Sequence, residues 1–261
     1  MTPGFAKPRS ELPWLPYESL DRVIINAHNF TPAETFSVNG KAPTAVWCPS
    51  RDTAGNGTTT LTDLIGGQNG TLTNMDPATD WVADISAGGI RALDFDGTND
   101  YVNASTAGVI TGSNLSVSVW VNIARTLSTT QGIVVKNNNG ASNNYGLWAF
   151  SGGVRFWVHT ASGVRSAIAS PSLNTWVHLC GTYDGSNLRI YLNDSLIQTV
   201  AGTGSIVTAA EPFWIGAIPL GGTPIAPLLG RVDDVRIWNV ALNAGDVSYL
   251  YNSGNGRGRV S

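Results

Sequence analysis

From Leu115 to Ile123 the chain reads Leu-Ser-Val-Ser-Val-Trp-Val-Asn-Ile, with an apolar side chain at every second position. A period of two lines up Leu115, Val117, Val119, Val121 and Ile123 on one face of an extended strand and scatters them around a helix. The same period recurs at Val154, Phe156 and Val158, at Leu188, Ile190 and Leu192, and at Val235 and Ile237. Polar, glycine-containing clusters such as 136–144, 150–153, 183–187 and 219–224 separate these runs. Short alternating strands punctuated by turn residues predict an all-β antiparallel sandwich or barrel. One short helix is expected at 244–251, stopped by Asn252-Ser253-Gly254.

The chain is long enough, at 261 residues, for one large all-β domain with a real core. Charged residues make up only 13% against 42% hydrophobic, which excludes a disordered polyelectrolyte. Net charge is −3 and no basic run exists, so nucleic acid is not an expected partner. No apolar stretch approaches the length of a membrane-spanning helix. Cys48 and Cys180 lie in apolar surroundings without a CxxC or Cys/His spacing. They read as two buried free thiols, with a single bridge as the alternative.

Residues 1–40 differ from the rest. Pro3, Pro8, Pro13, Pro16 and Pro32 favour extended backbone. Phe5, Trp14 and Tyr17 supply apolar anchors. We expect an extended arm that contacts the chain's own sandwich, sister subunits or other proteins; the alternative is a partly ordered leader. Residues 41–254 form the sandwich and 255–261 a short tail. The opening residues contain no apolar signal-peptide core.

Four segments together resemble the laminin-G-like jelly-roll family of the concanavalin A-like lectin/glucanase fold. They are Gly70-Thr-Leu-Thr-Asn74, the run Ala92-Leu-Asp-Phe-Asp-Gly-Thr-Asn-Asp-Tyr-Val102, the run Trp176-Val-His-Leu-Cys-Gly-Thr-Tyr-Asp-Gly185, and Gly230-Arg-Val-Asp-Asp-Val-Arg-Ile-Trp-Asn239 with Leu250-Tyr251 after it. Their order and spacing cover about residues 45–254. The resemblance implies an antiparallel jelly roll. It also implies a structural role for His178, which falls on the family's Trp-His-His-Val-type segment. It does not imply a chemistry, because the fold hosts lectins, adhesins and glycosidases alike.

Glycoside hydrolysis needs two carboxyl groups flanking the bond. The only glutamates are Glu11, Glu18, Glu34 and Glu211, and none has an acidic partner at strand spacing. Asp233 and Asp234 are adjacent, and on a regular strand they point to opposite faces. No G-x-S-x-G is present and His28, His159 and His178 share no ligand spacing. We therefore expect no enzyme and no required cofactor.

Two binding features remain. The turn Asp96-Gly97-Thr98-Asn99-Asp100 is dense in oxygen donors. With Asp233 or Asp234 across the sheet it could hold a structural calcium ion; the alternative is that Asp96 and Asp100 only close turns. The alternation that buries Val119 and Ile190 turns Trp120, Arg155, Trp157, His159 and Tyr191 to the opposite faces. Aromatic and basic residues there suit glycan stacking or protein contact. The alternative is that a loop or the arm covers them and makes a second small core.

These features point to a non-enzymatic structural or adhesive protein that binds glycans. Our expectation is a bacteriophage virion surface component (capsid decoration, head fibre or tail), assembled as a homo-oligomer and held to capsid or tail proteins through the arm. The alternative is an extracellular carbohydrate-binding lectin or adhesin, with a glycosidase as the weakest reading.

Overall fold

The computed structural model describes residues 35–84, 90–137, 144–207 and 212–256. The arm anchors Phe5, Trp14 and Tyr17, and all four glutamates, lie outside the described residues.

Two antiparallel sheets of eight strands face each other. Sheet I runs β14 (Ser195–Ala201), β13 (Asn187–Leu192), β12 (Trp176–Tyr183), β7 (Leu115–Ile123), β18 (Leu229–Trp238), β5 (Ile90–Asp96), β4 (Trp81–Asp84). β1 (Ala45–Trp47) also pairs with β18. Sheet II runs β11 (Gly163–Ala169), β10 (Gly153–Thr160), β9 (Tyr145–Phe150), β8 (Gln131–Lys136), β15 (Phe213–Ile215), β6 (Tyr101–Asn103), β3 (Gly70–Thr73), β2 (Thr60–Leu61). A small hairpin, β16 (Ile218–Leu220) and β17 (Thr223–Ile225), stands apart from both. This is the antiparallel sandwich that the alternation predicts.

The core lies between the inner faces. Leu115, Val117, Val119, Val121 and Ile123 of β7 share this core with Val154, Phe156 and Val158 of β10, and all are buried. Full burial of each such side chain stabilises the fold by roughly 1.5–3 kcal/mol. Gly181 on β12 makes room for the opposite sheet: a Cβ there would sit 2.3 Å from the Phe156 ring. Trp47 and Phe213 stack at 5.1 Å and tie β1 to β15.

The expected helix forms as α1 (Ala244–Tyr251). Asn243 caps it by accepting from the Asp246 backbone, and the Asp246 carboxylate accepts from the Asn243 backbone in return. Asp246 also receives Lys41 Nζ (2.9 Å) and Asn39 Nδ2 (2.8 Å), which ties residues 38–41 to the helix start. Asn252, at φ 50°, ends it in the left-handed region that Asn tolerates well. Cys48 and Cys180 are both buried, and they form no disulfide with each other.

Candidate ligand-binding face

The two sheets each turn a second face outward, and sequence alternation puts aromatic residues on both. The outer face of sheet I is sealed. Trp120 on β7 sits in register between His178 on β12 and Asp233 on β18. Tyr251 at the end of α1 stacks over it at 5.9 Å, and Trp120 is 2% exposed. Tyr191 and Cys180 join Val38, Trp238, Leu242, Val247 and Leu250 in a small core beneath the helix. The expectation that Trp120 and Tyr191 offer their rings to a ligand is thus corrected: α1, packed back onto the strands, covers them.

Several polar groups on this sealed face bond to one another. Ser118 Oγ lies 2.7 Å from His178 Nε2, and His178 Nδ1 lies 3.3 Å from the Asn193 carbonyl. A carbonyl only accepts, so Nδ1 carries the proton and Nε2 accepts from the serine hydroxyl. Burial holds the His178 pKa down to about 4, so the ring is neutral near pH 7. The Ser-His contact is enclosed under α1 and reads as a structural bond.

The Asp233-Asp234 pair departs from the sequence expectation. The β7–β18 register shifts between Asp233 and Arg236, and Asp234 takes φ 50°. This bulge ends the simple alternation of faces. Asp234 binds Arg236 through two contacts, Oδ1 to Nε at 2.6 Å and Oδ2 to Nη2 at 2.9 Å, with both side chains buried. Arg236 holds the Asp234 carboxyl below its usual range against the opposing effect of burial. Asp233 accepts from the Ser50 backbone (3.2 Å) and from Cys48 Sγ (3.7 Å). Burial, with both carboxylates beside it, pushes the Cys48 thiol well up and keeps it protonated.

Asp233 therefore does not join Asp96 and Asp100 in a calcium site. Asp96 pairs with Leu229 on β18, four residues before Asp233, a separation of about 13 Å along a strand. Asp96 Oδ1 instead accepts from Thr98 N (2.7 Å), and Asp100 Oδ2 accepts from Asp96 N (2.9 Å). These are turn-closing bonds. Burial, with Asp96 and Asp80 nearby, raises the Asp100 pKa to about 6. Among the described residues no group of three or more His, Cys, Asp or Glu is arranged to hold a metal.

The outer face of sheet II is different. Arg155, Trp157 and His159 project there from β10. Trp148 of β9 lies opposite Arg155, and Ile168 and Ser166 of β11 lie opposite Arg155 and Trp157. Trp157 is 1% exposed, packed on Val135 and Ile218, and meets Trp148 at 4.9 Å. The β16–β17 hairpin covers it, which corrects the expectation that Trp157 is a surface platform. Pro219 and Pro224 face each other in that hairpin. They sit next to the hydrogen-bonded Leu220–Thr223 pair at the turn, where no cross-strand bond is lost. The hairpin stops short of the rest of the face, where Trp148, Phe150, Arg155, His159, Ser166 and Ile168 stay half-buried. The Arg155 guanidinium lies over the Phe150 ring at 4.3 Å.

Three polar atoms on this face are buried without a hydrogen-bond partner among the described residues: Arg155 Nε, Trp157 Nε1 and Trp214 Nε1, and of the three residues only Arg155 is half-buried rather than fully enclosed. Such groups are uncommon, because each costs roughly 1–3 kcal/mol when left unmade. Trp148 and Phe150 escaped the sequence analysis. The alternation in Tyr-Gly-Leu-Trp-Ala-Phe and the glycine turn at 152–153 carry the signal, since a hairpin there sets Trp148 beside Arg155.

Comparison with known proteins agrees with the fold. The family Laminin_G_3, described as the concanavalin A-like lectin/glucanases superfamily, matches residues 96–248, more than half of the chain. A search of curated protein sequences found no match. Among solved structures, the botulinum neurotoxin serotype G binding domain matches with a TM-score of 0.58 and 17% identity, covering 81% of this chain and 51% of that one. The binding domain of Paraclostridial mosquitocidal protein 1 matches at 0.60 and 15%, covering 84% and 53%. The botulinum neurotoxin serotype D ligand-binding domain, solved with N-acetylneuraminic acid, matches at 0.55 and 17%, covering 81% and 50%. The chain spans about half the length of each, and at these identities the likeness is one of fold.

Proposed function

The chain belongs to the concanavalin A-like lectin/glucanase superfamily, and from that premise we propose that it is a non-catalytic glycan-binding module whose ligand face is the outer surface of β9, β10 and β11. The observation that carries this reading is Arg155, whose Nε has no hydrogen-bond partner among the described residues, set among the half-buried rings of Trp148 and Phe150 on the outer face that no described helix covers. A sugar ring stacks on the exposed part of Trp148 or Phe150, and its oxygens accept from donors that the protein leaves unmatched. The neighbouring folds support the reading to the extent that they are binding domains, one of them solved with a sialic acid.

The sealed face favours no turnover there. Its Ser118-His178 contact and its Asp234-Arg236 pair are internally satisfied and enclosed. Glycan-array binding followed by tryptophan-fluorescence titration tests the proposal. Trp148→Ala is expected to weaken binding at least about tenfold, as loss of a central aromatic does at binding hot spots. Trp120→Phe is expected to leave it unchanged. A Trp148→Ala protein that binds as well as the parent contradicts the assignment. Display on a virion rather than a cell surface is tested separately. Stoichiometric co-purification with virus particles is expected for the virion setting, and absence from every particle preparation overturns it.

A further inference from the structure

Building on the open face proposed above, we infer that its ligand is a sugar carrying a negatively charged group, a carboxylate or a sulfate ester, received by Arg155. The distribution of charge along the chain points there. All 18 acidic residues lie outside residues 101–183, although the chain as a whole carries a net charge of −3. Strands β8 to β11 fall entirely within that acid-free stretch, and the β16–β17 hairpin beside them has no charged residue. A ligand on this face meets no carboxylate from the strands that form it.

The stretch holds four Lys or Arg side chains, Arg125, Lys136, Arg155 and Arg165. Three of them are engaged by backbone carbonyls. Arg125 Nη2 donates to Gly97 O (2.8 Å), Lys136 Nζ to Ala107 O (2.9 Å) and Arg165 Nη1 to Val164 O (2.9 Å). Arg155 differs from these three. Among the described residues it forms no hydrogen bond and no ion pair, and its guanidinium lies over the Phe150 ring. Its planar fork is thus held flat by an aromatic face with its donors unclaimed.

The chemistry of Arg155 narrows the ligand. Its guanidinium only donates, while Trp157 Nε1 is closed off beneath the hairpin. A neutral sugar hydroxyl brings a donor with every acceptor, whereas a carboxylate or sulfate brings acceptors alone. Arginine pairs with such oxyanions through two parallel hydrogen bonds, which are stronger than neutral ones. The ring walls of Trp148 and Phe150 exclude water on one side and strengthen that attraction.

The test presents the full chain with matched probes: lactose, sialyllactose and sulfolactose, on an array and then in titration, with thermal unfolding as a check on each variant. The parent is expected to bind at least one anionic probe about tenfold or more tightly than lactose, with an affinity that falls as salt is raised. The sialyl and sulfo arms distinguish the two sources of charge. In Arg155→Gln the preference is expected to vanish while residual lactose binding persists. In Arg155→Lys, which keeps the charge and loses the fork, part of the preference is expected to remain; this variant carries the test if Arg155→Gln does not fold. Equal binding of neutral and anionic probes, or an anionic preference that survives in folded Arg155→Gln, overturns the inference. If Trp148→Ala still abolishes binding in that case, the open-face reading stands. Failure of the parent to bind any glycan on the array overturns both.

Discussion

The outer faces of the two sheets start from the same sequence rule and end as opposites. Both receive aromatic side chains by alternation, Trp120 and Tyr191 on sheet I, Trp157 and Trp148 on sheet II. On sheet I the C-terminal helix folds back, and the charged and ionisable groups beneath it pair with neighbours, His178 with Ser118 and Asn193 and Asp234 with Arg236, while the Thr182 hydroxyl is enclosed without a partner among the described residues. On sheet II the covering hairpin is short, the rings beyond it stay half-buried, and among the described residues the half-buried Arg155 guanidinium has no acceptor. Burial with satisfaction marks a face that holds the fold together. Partial exposure without satisfaction marks a face that waits for a partner.

The largest effect that would break this contrast lies on the sealed side. Asp234→Ala leaves Arg236 buried and unpaired, so equilibrium urea unfolding is expected to show a loss of about 3–5 kcal/mol. A loss below about 1 kcal/mol would mean that the pair is not sealed.

A smaller loss is expected on acidification. His178 has a pKa of about 4 in the fold against 6.5 as its ordinary value, so the unfolded chain takes up its proton first. Stability from this group is therefore present above pH 6.5 and falls as the pH drops toward 4, by roughly 3 kcal/mol. Asp100 works in the other direction. Its pKa is raised to about 6 from 3.8, so its ionisation opposes folding above pH 6 and that penalty disappears on acidification. Asp100→Asn removes this offset, and the acid loss in that variant is expected to be steeper than in the parent. An unchanged slope would show that the two groups do not titrate as assigned.

The smallest effects on stability belong to the open face. Arg155→Gln removes a side chain with no hydrogen bond to the described residues and is expected to change unfolding free energy by about 1 kcal/mol or less, even as ligand binding changes. A large loss of stability in this variant would make sheet II a structural face as well.

Much of the fold can be read from the chain, because a period of two is local. The strand at Leu115–Ile123, the helix at Ala244–Tyr251 and the family segments from residue 96 onward all appear where the sequence puts them. What covers each outer face cannot be read in that way. Trp120 is sealed by Tyr251, and Tyr191 packs in the same small core as Leu250, both far along the chain. No spacing rule records those contacts. Bulges are equally hidden: the left-handed turn at Asp234 breaks strand parity with a residue type that gives little warning. Half of the open site was legible in Arg155 and His159. Trp148 and Phe150 became visible only when β9 paired with β10.

The most direct test of the contrast uses the nine tryptophans as reporters. Their indole N–H signals can be followed by NMR as sialyllactose is added to the full chain. The account predicts shifts at Trp148 and at Trp157, whose ring lies 4.9 Å from it, with Trp120 and Trp238 unmoved. Shifts confined to Trp120 and Trp238, with Trp148 silent, would place the ligand on the face assigned here to structure and contradict the account.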